Sequence, residues 1–236
     1  MKYREVDMSN EFDFSIYPNC EIHCVVIEIN GTIDLTNVVN VMSKEIADTS
    51  WITKLPTFFR PVYDANAPKT INKIVNDILG KVASGLNEKI GEYLVSFSAQ
   101  QALEMLFNHY RLPLAEILKE QLSNNPGFDF HTISDKDNLV HGEAKYSGNE
   151  TRWPDATGQI SEFIDENKHK GEQGWLYPFL DESVIANVIA GKRGFTAAFS
   201  MHAKNEKLIF KHALESEASK RIAMFEEYYL IAVVIC

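Results

Sequence analysis

The chain carries only three cysteines, Cys20, Cys24 and Cys236, in 236 residues. An odd number, with no signal peptide ahead of them, argues against a disulfide framework and leaves the cytoplasm as the default compartment. Cys20-Glu21-Ile22-His23-Cys24 has a metal-like spacing, but a closed zinc site takes four ligands and no second Cys/His pair is nearby. Buried reduced thiols are the expectation there. No apolar run reaches the roughly 18–20 residues that span a bilayer, so no membrane attachment is expected. Internal repeats, low-complexity tracts, a glycine-rich phosphate loop and a Gly-x-Ser-x-Gly elbow are absent too. Basic charge is scarce: 23 Lys+Arg against 33 Asp+Glu give a net charge of −10. Phosphate contacts supply most non-specific nucleic-acid affinity, so such a chain binds polynucleotide weakly by itself.

What is present fits a single domain of ordinary composition, with 45% hydrophobic and 24% charged residues. The first dozen residues are polar and are expected to pair loosely or fray. A strand is expected over residues 22–29, a turn at Asn30-Gly31, and a helix over 37–47 capped by Asp34 or Thr36. Residues 51–68, with three prolines and no clear period, read as a packed loop. Ile71, Ile74, Val75, Ile78 and Leu79 then mark a helix, Gly85 interrupts, and Asn87 begins a long helix to about Tyr110. Its apolar stripe of Ala99, Leu103, Leu106, Phe107 and Tyr110, extended backwards, lands on Glu92. Glu104 falls on the polar side with Gln101, Asn108 and Arg111. A carboxylate on a buried stripe needs a reason, although one in a first turn can also serve the helix dipole. Residues 114–122 read as a strand or equally as a short helix. An exposed charged loop is expected before Gly174, and residues 175–180 form an apolar cluster that is either core or a partner surface. A strand over 194–201, a helix over 206–225 and a strand over 228–235 close an alternating pattern, consistent with an α/β sheet covered by helices.

The stretch from Gly127 to Gln159 gathers the chemistry. Phe128–Ile133 and Leu139–Tyr146 alternate around the polar break 134–138 and read as a β-hairpin, preceded by a turn at Asn124-Asn125-Pro126-Gly127. Period two puts Glu143 and Lys145 on one face, with Asp129 able to join them from the adjacent strand. His131 and His141 share those faces and either line the site or belong to the core. A bare Glu-x-Lys reads first as a surface salt bridge. Asp129, the helix opened near Asp155 that carries Gln159 and Phe163, and Glu92 upstream shift that balance. Two carboxylates offer hard oxygen ligands to Mg²⁺ or Mn²⁺, and a lysine beside them can serve a water or a phosphate.

These residues, Asp129, Glu143-Ala144-Lys145 and the following Gln159 helix, resemble the metal-binding core of the PD-(D/E)XK nuclease superfamily. Phe128 stands where many members have proline. The resemblance implies a restriction-endonuclease-like mixed sheet flanked by helices, with the nuclease core near residues 86–170. It implies that Glu92, Asp129 and Glu143 bind the metal, that Lys145 assists the water and that Gln159 lies near the site. More narrowly, Gly142-Glu143-Ala144-Lys145-Tyr146 with the Gly91-Glu92 helix resembles the HamA family, the nuclease subunits of Hachiman antiphage systems. That resemblance implies DNA as substrate and a helicase ATPase partner in antiviral defence. The alternatives are an inactive nuclease fold used as an interaction module, and a hydrolase or transferase acting on small phosphates.

Overall fold

The computed structural model describes residues 1–78, 86–119 and 127–235. Leu79, Gly85, the last three residues of the 114–122 segment, the Asn124-Asn125-Pro126 part of the turn and Cys236, all invoked above, lie outside the described residues. One seven-stranded mixed sheet organises the rest, in the order β1 (Lys2–Glu5), β2 (Glu21–Ile29), β7 (Glu227–Ile235), β6 (Gly194–Ser200), β5 (Leu139–Lys145), β4 (Phe130–Ile133) and β3 (Tyr110–Arg111). The four strands β2, β7, β6 and β5 run parallel, while β1, β4 and β3 are antiparallel to their neighbours. Parallel strands buried on both faces are near-continuously apolar, which is how β6 and β7 read.

Period two divides the core into two layers. Val25, Ile27, Phe130, Val140, Ala144, Ile231 and Val233 face α1 (Gly31–Ala47), α2 (Arg60–Asn72) and α3 (Glu88–Phe107). Cys24, Val26, Phe195, Ala197, Phe199 and Leu230 face α5 (Trp153–Asp165), α9 (Glu206–Glu215) and α10 (Glu217–Ile222), while Val184 of α8 (Glu182–Ile189) packs in the first layer. The buried thiol of Cys24 and the half-buried one of Cys20 are both free, and burial pushes Cys20 up to about 12. No helix among the described residues is long and apolar enough to cross a membrane.

Several expectations need correction. The first residues do not fray: β1 pairs with β2, and Val6, Met8 and Phe12 are buried. Helix α1 begins at Gly31, whose φ of +70° turns the chain directly out of β2, so neither Asp34 nor Thr36 caps it. Residues 60–72 are helical because Pro61 sits in the first turn, where its missing N–H is not needed, and only Pro68 lies inside. Trp51, Tyr63 and Phe179 interlock beside it, so packing outweighs the proline signal. Residues 115–118 form α4, the helical alternative, with Ala115, Ile117 and Leu118 buried at helical spacing. The strand ahead of the hairpin is instead the short β3. The last long helix breaks at Ser216, which is extended and whose Oγ accepts from Ser219 N at 3.1 Å, a helix cap inside the predicted span. The long helix ends at Phe107, where Asn108 turns left-handed, so Tyr110 belongs to β3; residues 93–100 of α3 are buried on every side rather than along one stripe, and Glu92 is half-buried. Finally, residues 166–174 are no exposed loop: α6 (Lys168–Gly171) and α7 (Gln173–Leu176) bury His169 and Glu172, and residues 175–180 are divided, with Leu176 and Pro178 buried and Tyr177 exposed.

Candidate active site

The hairpin forms where alternation places it, with Phe130 opposite Gly142 and His131 opposite His141. That register sets Asp129, one residue before β4, across from Glu143. Asp129 N donates to Gly142 O at 2.9 Å, and its Oδ2 accepts from Ala144 N at 2.8 Å. Glu143 and Lys145 share a face, and Lys145 Nζ donates to Glu143 Oε1 at 2.8 Å. Because β4 runs against β5, all three groups meet at the carboxyl end of the parallel strands, the place where open α/β sheets leave room for ligands.

Glu92 arrives from α3, which crosses the opposite layer. Gly91 makes that approach possible, because a Cβ there would run into the Tyr146 ring. With the helix seated, Glu92 Oε1 lies 3.9 Å from Lys145 Nζ. Lys145 thus stands between two acids. The three carboxylates do not all come within 4.8 Å of one another. On the outer side Gln159 of α5 lines a cleft of about 450 Å³ with Glu92, Lys145, Arg152, Asp155 and Glu162. Among the described residues no hydrogen bond joins Gln159 to the four groups.

The electrostatics are unbalanced. Glu143 is 1% exposed, yet its Oε2 has no partner. Burial and then the Asp129 charge push its carboxyl well above the usual range, with Lys145 offsetting part. Burial raises Asp129 too, against Lys145 and the Ala144 N–H. Burial, reinforced by Asp129 and Glu88, raises Glu92 to about 7. Burial alone would lower Lys145, but Glu143, Asp129 and Glu92 outweigh it and raise it. Acids pushed upward around one orphaned oxygen are a donor set short of positive charge, and hard oxygens of this kind suit Mg²⁺ or Mn²⁺. The residues present therefore fit such an ion.

No family model, curated protein or solved structure matches this chain.

A larger cavity of about 570 Å³ lies elsewhere, lined by Trp51, Phe97, Leu114 and Phe179, but its Arg111 is already paired with Glu45 at 2.8 Å. It gathers no comparable set of shifted carboxylates. A second polar cluster, which sequence reasoning missed, lies deeper on the face of Glu143. Glu172 accepts from His131 Nε2 at 2.8 Å and from Phe128 N at 3.0 Å, and pairs with Lys119 Nζ at 2.8 Å. Lys119 Nζ also donates to Phe128 O at 3.0 Å, so both backbone polar groups of Phe128, the residue ahead of Asp129, are held. Burial would raise Glu172, but His131, His141 and Lys119 outweigh it and hold it below the usual carboxylate range. Burial keeps His131 and His141 neutral, the latter lowered to about 3. Two buried histidines on neighbouring strands were the available signal that a partner had to come from elsewhere in the chain.

Proposed function

We propose that this chain is a metal-dependent nuclease that hydrolyses phosphodiester bonds of DNA with water as the nucleophile. The observation that carries the reading is the meeting of Asp129, Glu143 and Lys145 beside an unpartnered, buried carboxylate oxygen, with Glu92 3.9 Å from the Lys145 amine. Asp129 and Glu143 would hold Mg²⁺ or Mn²⁺, and Glu92 would complete the acidic wall. Such an ion supplies Lewis acidity toward a phosphate oxygen and toward water. Lys145, already poised between acids, would hold the attacking water and offset charge growing on the phosphate. Gln159, on the cleft wall, would orient a neighbouring group. The order α3, β3, α4, β4, β5, α5, a helix ahead of three strands and a helix after them with one short turn of helix inserted, supports the restriction-endonuclease-like arrangement that the resemblance implies.

A net charge of −10 and a cleft carrying Glu88, Glu92, Asp155 and Glu162 favour delivery of the strand by a partner. The resemblance to the HamA family makes that partner a helicase ATPase and the setting antiviral defence. The test is cleavage of plasmid and single-stranded DNA with Mg²⁺, alone and with the helicase, comparing wild type with Lys145→Ala. Loss of cleavage in the variant is expected; a variant as active as wild type refutes the reading. The second reading, an inactive nuclease fold serving as an interaction module, draws on Lys145 being held by Glu143 and Glu92, and requires that Mg²⁺ leave stability unchanged.

A further inference from the structure

We propose that His131, His141 and Glu172 form a second, buried metal site that takes a borderline transition ion of the zinc class. This inference does not rest on the nuclease reading. Each residue offers one ligand atom, and the three atoms lie within 4.8 Å of one another. His131 Nε2 is 2.8 Å and His141 Nδ1 3.6 Å from the same oxygen, Glu172 Oε2. A tetrahedral ion with bonds of about 2.0–2.1 Å separates its ligands by roughly 3.3 Å, between these two distances. Two imidazole nitrogens and one carboxylate oxygen suit zinc better than magnesium, which prefers oxygen alone.

Hydrogen bonding by itself leaves this cluster incomplete. His131 and His141 are 0% and 1% exposed, yet His141 Nδ1, aimed at Glu172, has no hydrogen-bond partner. An ion among the three atoms would satisfy it. Glu172 is oriented as a ligand would be: its Oε1 is fixed by Lys119 Nζ and Phe128 N, which leaves Oε2 to face the histidines. Phe128 lies 4.9 Å from the His141 ring and Trp175 5.1 Å from the His131 ring, giving an apolar wall. Three protein ligands leave the fourth position to a water. The ion would tie the hairpin to the α6–α7 junction, which already meets it through Glu172 and through the His169 and Trp175 rings.

Co²⁺ is the probe, added to the metal-stripped full chain and followed by visible absorption, since tetrahedral cobalt absorbs far more strongly than six-coordinate cobalt on oxygens. One equivalent with the intense band is expected in wild type and in Glu92→Gln, and no band in His141→Gln. No intense band in wild type, or a band lost in Glu92→Gln and kept in His141→Gln, overturns the proposal. Should His141→Gln not fold, imidazole ¹⁵N shifts of the wild type with Zn²⁺ decide. Movement confined to His131 and His141 supports the site, and unmoved shifts there overturn it.

Discussion

Replacing Glu92 with glutamine is expected to stabilise the metal-free protein at pH 8 and to leave it unchanged near pH 4.5. Glu92 is raised from its usual 4.5 to about 7 by burial, with Asp129 and Glu88 adding to it. Between those values the native state binds more protons than the unfolded chain, so its contribution to stability falls as pH rises through the window. At about 1.36 kcal/mol per unit the whole shift corresponds to about 3 kcal/mol of unfavourable ionisation. The Glu92 side chain is 32% exposed, and solvent screening reduces the expected gain to about 1–2 kcal/mol. For a chain of this length that is a rise in Tm of about 2–8 °C. Thermal unfolding in EDTA at both pH values, followed by circular dichroism, reads the difference directly. A variant that is less stable than wild type at pH 8, or that gains equally at both pH values, would refute the electrostatic reasoning.

Gly91→Ala should lower stability by about 1–3 kcal/mol, because the added methyl meets the Tyr146 ring and pushes α3 off β5; denaturant unfolding checks it, and a neutral effect would show that the seat of Glu92 is not tight. Glu172→Gln should cost about 3 kcal/mol at pH 7, since it leaves Lys119 without its charged partner and weakens the hold on the Phe128 peptide. Glu172 is held below its usual range, so its contribution is present above pH 4.5 and is lost as pH falls through the folded value. The gap between variant and wild type in urea titrations should therefore narrow in acid, and a constant gap would count against the charged role.

The hairpin was legible because two runs rich in aromatic and β-branched residues flank a polar break, and with it came the shared face of Asp129, Glu143 and Lys145. The periodicity that singled out Glu92 is not the pattern the helix shows: residues 93–100 are buried on every side, Leu106 is exposed and Glu92 is half-buried, so its place beside Lys145 comes from how α3 seats on Tyr146 through Gly91. The two-residue β3 carries too few side chains to show a period, and its pairing with β4 depends on contacts distant in sequence. Pro61 and Pro68 disguised α2, since the same residue marks a loop or the first turn of a helix according to its position. Glu172 was hidden most completely. It sits in a charged run that reads as solvated, and only the fold brings it against histidines more than thirty residues away.

Whether the carboxylates form a cation site is tested most directly by thermal unfolding in rising Mg²⁺ at pH 8, in wild type and in Glu143→Gln. Mg²⁺ prefers oxygen donors and so reports on Asp129, Glu143 and Glu92 rather than on the histidine cluster. At about a hundred times the dissociation constant, mass action predicts about 2.7 kcal/mol of added stability, a Tm rise of about 5–11 °C. The expected result is that rise in wild type and little or none in Glu143→Gln; an unchanged Tm in wild type across the titration would contradict the cation site and the nuclease reading with it.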